Sequence, residues 1–156
     1  MAFLSSMNII GSGMTAQQLR LDVISENVTN MNTTRTESGG AYRRKIVVME
    51  AESEKNSFRD AMARAERRGG RAVSNRGYEN AGGVRVAEIR EDESEMPFVY
   101  DPTHPDANEE GYLEMPNVTL VKEVTDAMAA SQAYSADVTA FNTMKQVVSK
   151  ALEIGR

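Results

Sequence analysis

The stretch FLSSMNIIGSGMTAQQLRLDVISENVTNM, residues 3–31, decides the fold. Within it Phe3, Met7, Ile10, Met14, Gln17, Leu21, Ile24, Val28 and Met31 recur at alternating steps of four and three. Such alternation puts every one of these side chains on one narrow stripe of a helix. A narrow stripe fits a partner helix better than the broad core of a compact domain. The spacing predicts a helix from about Phe3 to Asn30 with one polar seam member, Gln17. Its weakest point is Gly11-Ser12-Gly13, where each interior glycine costs roughly 1 kcal/mol relative to alanine. Such a point bends or admits a neighbouring backbone. A phosphate cradle is a poor account of it, since no strand precedes it and no lysine follows at Walker spacing. The helix runs out in NVTNMNTT, residues 27–34, whose asparagines and threonines compete for backbone hydrogen bonds. Two readings of Asn27 and Asn30 stay open: a polar cap, or side-chain amides that bond another subunit.

The other end of the chain repeats the pattern. From Thr119 onward Val124, Met128, Ser131, Tyr134, Val138, Phe141, Val148 and Leu152 share one slowly drifting helical face, interleaved with Ala127, Ala129, Ala130, Ala133 and Ala136. These small side chains favour helix and let neighbouring backbones approach. Gly155 then ends the helix. Two striped helices at opposite ends can pair with one another or with copies in an assembly, and a methionine-rich surface suits adaptable contacts.

Between them the character is different. Residues 41–50, AYRRKIVVME, read as a strand with a charged edge at Arg43, Arg44 and Lys45. Residues 51–76 are polar, with a short helix predicted over 57–68. Arg64, Arg67, Arg68, Arg71 and Arg76 there suggest a solvated or subunit-facing surface, because no aromatics are interleaved for base stacking. Residues 84–89, VRVAEI, alternate as a strand does, and Glu91, Asp92, Glu93 and Glu95 form an acidic turn before Phe98-Val99-Tyr100. These opposite patches pair within the monomer or between neighbours. The chain thus divides into an axial helix (1–34), a β-containing insert (35–118) and a second axial helix (119–156). The fold class is α+β, with the terminal helices packing as a coiled-coil-like hairpin.

Composition narrows the function. Of 156 residues only 40% are hydrophobic and 6% aromatic, so a large core is not expected and partner helices should supply burial. A net charge of −5 argues against nucleic-acid binding. The absence of cysteine removes disulfides, thiol nucleophiles and cysteine zinc sites. No Lys or Arg precedes Arg20 and no unbroken apolar run follows, so neither a cleaved signal peptide nor a membrane span or lipid anchor is expected.

The richest cluster of functional groups is DPTHPDANEEGY, residues 101–112, with the single histidine of the chain. Asp101, His104, Asp106 and Glu109 offer metal ligands, yet their spacing fits neither an EF-hand nor a histidine-pair zinc site. Nucleophilic chemistry lacks a base with an orienting partner. A turn stiffened by Pro102, Pro105 and Gly111 is the favoured reading, with no catalytic residue, metal or cofactor expected; a metal-dependent enzyme centred on Asp101, His104 and Asp106 is the alternative.

Six segments, AQQLRLDVISENV (16–28), NMNTT (30–34), YRRK (42–45), VYDPTHPDANEEGY (99–112), MPNV (115–118) and ALEIG (151–155), resemble the bacterial flagellar basal-body rod proteins, and those of the proximal rod in particular. The resemblance implies a non-enzymatic subunit of the drive shaft that crosses the periplasm. It would be exported unfolded by the flagellar type III apparatus without a cleaved signal. Its partners would be further copies of itself and other rod proteins, with inner-membrane ring and export-gate proteins nearby. Another axial protein, of a different rod section or the hook junction, is the rival within the class. The expected assembly interface is Met7, Ile10, Met14, Gln17, Leu21, Ile24, Asn27, Val28 and Asn30 with Val124, Met128, Tyr134, Val138, Phe141, Val148 and Leu152. Insert contacts are expected from Tyr42, Arg43, Arg44, Tyr100, Asp101, His104, Asp106 and Asn108.

Overall fold

A computed structural model of the chain describes residues 2–37, 39–53 and 81–154. The helix predicted over 57–68, the arginines from Arg64 to Arg76, and Gly155 lie outside the described residues. Helix α1 (Ala2–Thr29) is followed by strands β1 (Lys45–Ser53), β2 (Ala81–Glu91), β3 (Phe98–Tyr100) and β4 (Tyr112–Glu114), and by helix α2 (Leu120–Ile154). The architecture is α+β: two long helices and two separate antiparallel ribbons, β1–β2 and β3–β4.

Helix α1 runs unbroken through Gly11-Ser12-Gly13. Its hydroxyl side chains bond within the helix, Thr15, Ser25 and Thr29 donating to the carbonyls four residues back. Gly13 serves close approach, whereas a Cβ on Gly11 would meet nothing within 4 Å. A Cβ on Gly13 would stand 3.0 Å from the Asp137 carboxylate of α2, and a Cβ on Gly83 of β2, where φ is +114°, would collide with the Ser12 hydroxyl. That hydroxyl accepts a hydrogen bond from the Val84 amide at 3.0 Å and donates to the Ile9 carbonyl at 2.7 Å. Ser12 thereby stitches β2 to the helix.

The two helices run antiparallel, since contacts pair Gly13 with Asp137, Arg20 with Asp126 and Asn27 with Glu123. Gly13, Arg20 and Asn27 are spaced by seven residues, so one line of α1 faces α2. That line is not the apolar stripe. Met14, Leu21 and Val28 each follow one residue later, about 100° further round the helix, and remain half-buried. The buried apolar core is correspondingly small: Ala16, Val23, Ile24, Ala41, Tyr42, Leu113 and Ala130. Of the apolar stripe, Ile24 is buried and Gln17 has a buried Oε1, whereas the Met14–Leu21–Val28 line lies to the side of the helix–helix contact.

The β1–β2 ribbon runs in register from Lys45↔Glu91 to Ser53↔Ala81, with irregularities between Val48 and Met49 and between Ala51 and Ser53. The strand predicted over 41–50 starts only at Lys45. Residues 41–44 are drawn out of strand geometry because Tyr42 and Arg44 turn inward toward α1 and α2.

Candidate assembly interface

At the end of α1 the sequence places an asparagine among apolar residues, and the fold surrounds it completely. Asn27 is 0% exposed. Its Nδ2 donates to the Lys45 carbonyl at 2.9 Å and to Glu123 Oε2 at 3.1 Å; its Oδ1 accepts from the Tyr42 hydroxyl at 3.0 Å and the Lys45 amide at 2.9 Å. All four valences of the amide are used, and they join α1, β1 and α2. Of the two readings open for Asn27, this geometry makes the amide an internal clasp. Asn30 is a local cap: its Nδ2 donates to the Glu26 carbonyl and its Oδ1 accepts from Thr33.

Arg44 is the second half of the clasp. Its Nε donates to Glu123 Oε1 at 2.5 Å, one terminal nitrogen meets Asp126 Oδ2 at 3.0 Å, and the other lies 3.7 Å from Asp92. Its amide donates to Asn117 Oδ1 at 2.8 Å and its carbonyl accepts from the Asp92 amide at 2.7 Å. Burial alone would lower the guanidinium pKa, but the hydrogen bond and charge of Glu123, with Asp126 and Asp92, raise it. The expectation that Arg44 is a charged strand edge is corrected here, for it is buried. Burial, reinforced by Glu26, Glu123 and Glu91, pushes the Tyr42 phenol up to about 12. Lys45 pairs with Glu26 at 2.5 Å and sits 5.8 Å from the Tyr42 ring centre. Arg43 stays exposed.

The loop over 101–112 is self-bonded and docked on the turn after α1. Asp101 Oδ1 accepts from the Thr103 hydroxyl at 2.6 Å and amide at 3.1 Å, which hold its carboxyl below the usual range. Asn108 Oδ1 accepts from the amides of Glu110 and Tyr112. Asp106 accepts from Thr34 at 2.9 Å, lies 3.8 Å from Arg35, and sits 3.9 Å from His104 Nδ1, which accepts from its amide. The carboxylates thus face Thr103, Thr34 and Arg35, and no three His, Asp or Glu side chains among the described residues gather as a metal site.

The apolar residues named from the sequence fall into three groups. Ile24 is buried in its own chain, whereas Met7, Ile10, Met14, Leu21 and Val28 are half-buried, as are Tyr134, Val138, Phe141 and Val148. Gln17 keeps a buried Oε1 with no hydrogen-bond partner among the described residues. Val124, Met128 and Leu152 are exposed, and Leu120 and Val121 extend that surface. The α1-facing side of α2 is carried by Glu123, Asp126 and Asp137, so Val121, Val124 and Met128 lie on its far side. Sequence reasoning missed Glu123, Asp126, Asp92 and Asn117. An acid in the first turn of a helix reads as a dipole partner, and nothing local marks Glu123 as buried; only Asn27, lodged between Ile24 and Val28, signalled an interior polar site.

Comparison with known proteins agrees with the resemblance. Residues 7–35 match the family model described as flagella basal body rod protein, and residues 109–154 match the one described as flagellar basal body rod FlgEFG protein C-terminal. The chain is 43% identical to the flagellar basal-body rod protein FlgC of Bacillus subtilis (strain 168) over 97% of each chain. It is 38% identical to FlgC of Borreliella burgdorferi over 99% of this chain and 98% of that one. Against FlgC of Salmonella typhimurium it is 33% identical over 100% of both. Since each match covers nearly the whole of both chains at 33–43% identity, the chain belongs to the FlgC family of flagellar basal-body rod proteins.

Proposed function

We propose that this structural rod subunit builds the proximal rod by packing its two helices, as one body, against those of neighbouring copies and of other rod proteins in a coiled-coil-like inner layer. The β-containing insert forms an outer layer, and torque passes through the packed contacts. The chain reaches the basal body through the type III apparatus, close to inner-membrane ring and export-gate proteins. The family is one of structural proteins, not of enzymes. One observation carries the proposal: the Met14–Leu21–Val28 line of α1 and the Val121–Val124–Met128 face of α2 both lie off the helix–helix contact and are incompletely covered. Uncovered apolar stripes on long helices are association surfaces.

The test is complementation of a strain lacking the gene. Met128→Asp, at an exposed position (59%), should leave the circular dichroism of the purified chain unchanged while abolishing motility and yielding basal bodies without this subunit. Ile24→Asp tests the fold instead, because Ile24 is only 7% exposed. Normal basal bodies carrying the Met128→Asp chain would refute the assignment.

A further inference from the structure

We propose that the outward face of the β3–β4 ribbon is a docking surface for the arginine-rich segment, residues 59–76, of a second copy of this chain. The inference deepens the rod reading and rests on it. Pairing Phe98↔Glu114 and Tyr100↔Tyr112 puts Phe98, Tyr100 and Tyr112 on one face, while Leu113 turns to the other and is buried. The three aromatics are 67%, 64% and 44% exposed, and Tyr100 meets Tyr112 edge to face at 5.4 Å. Around them the charge is of one sign. Residues 92–114 carry eight Asp and Glu and no Lys or Arg. Asp92 and Asp106 engage Arg44 and Arg35, but Glu95, Glu109 and Glu110 are exposed and make no ion pair among the described residues.

An aromatic face rimmed by carboxylates fits guanidinium groups, which stack on rings through their flat faces and bond carboxylates through their edges. The chain contains a matching element: residues 59–76 hold six arginines against two acids. The intervening sequence leaves β1 at Ser53 and re-enters at Ala81, the end of that ribbon where Gly83 packs on Ser12. The β3–β4 loop is fastened instead to Thr34, beyond the opposite end of α1. From Ser12 to Thr29 alone the helix spans about 25 Å. The arginine-rich segment is tethered through Ser53 and Ala81 near one end of α1 and the aromatic face lies toward the other, so between copies the two meet head to tail, a heterologous contact that propagates instead of closing.

The experiment uses the full-length chain, the triple variant Arg64→Glu, Arg67→Glu, Arg68→Glu, and the triple variant Glu95→Lys, Glu109→Lys, Glu110→Lys, each checked for folding by circular dichroism. Sedimentation velocity across a concentration series should show salt-sensitive self-association of the native chain. Each variant alone should associate at least about tenfold more weakly. An equimolar mixture of the two should recover association, because the acidic segment of one then meets the basic face of the other. Phe98→Ser with Tyr112→Ser should weaken association with no change in charge. A native chain that stays monomeric, variants that associate normally, or a mixture that does not recover would each overturn the inference. In cells the two levels separate: a complete rod in the deletion strain would refute the rod reading, whereas normal incorporation of both charge-reversed chains would refute only this contact.

Discussion

Replacing Arg44 by methionine isolates the energetic centre of the molecule. Glu123 is 0% exposed and receives hydrogen bonds from Arg44 Nε at 2.5 Å and Asn27 Nδ2 at 3.1 Å. Removing the guanidinium leaves a buried carboxylate held by one neutral amide, a loss of about 3–5 kcal/mol. The other two acids soften the effect little. Asp126 is nearer the surface and keeps Arg20 at 3.6 Å, while Asp92 keeps the Ser94 amide. The penalty is therefore concentrated on Glu123, and the second change Glu123→Gln should recover most of it. Glutamine removes the buried charge and retains a carbonyl that accepts from Asn27. Since a domain of ordinary size is stable by only about 5–15 kcal/mol, the single variant should be close to unfolding. Urea denaturation followed by far-ultraviolet circular dichroism, with an unchanged m value, measures both. A loss below about 1 kcal/mol in Arg44→Met, or a double variant no more stable than the single, would refute the clasp as an energetic unit.

Alkaline titration probes the same cluster from Tyr42. With the phenol raised from 10.0 to about 12, the folded chain binds more protons than the unfolded one between those values. This contribution is complete below pH 10 and is lost as pH rises through the folded pKa, about 3 kcal/mol in total. Tyr42→Phe should flatten that part of the stability profile, and identical slopes in the two chains would count against a buried phenol. Gly83→Ala adds a Cβ at φ +114° where the Ser12 hydroxyl stands, so it should destabilise by about 1–3 kcal/mol. Adding Ser12→Ala should relieve the collision but not the backbone strain, and thermal melts that leave Gly83→Ala at the native midpoint would refute the close approach.

The terminal helices were legible from the sequence because helical periodicity is local: each step of three or four residues constrains the next, and no tertiary partner is needed to see it. The same holds for β2, where alternation over residues 84–89 lies inside the observed strand, and for the turn chemistry of the loop over 101–112. The close approach at Gly11-Ser12-Gly13 was legible as a possibility, though not its partners, Asp137 and Gly83, which lie far along the chain.

What the sequence could not rank was which face of α1 turns inward. By apolar content the whole stripe should be buried, and the fold buries its Ile24 together with Ala16, Val23 and Asn27 but leaves Met14, Leu21 and Val28 half-buried. The physical reason is that a polar side chain is tolerated inside only when every donor and acceptor finds a partner at once. For Asn27 those partners are Tyr42, Lys45 and Glu123, contributed by segments 15, 18 and 96 residues away. The sequence by itself therefore determined the two long helices, the alternation of β2, the family and the presence of two apolar stripes, but not the β3–β4 ribbon. Only the tertiary structure decided that a polar clasp joins the two helices and the first ribbon, and that the Met14–Leu21–Val28 line stays half-buried beside it.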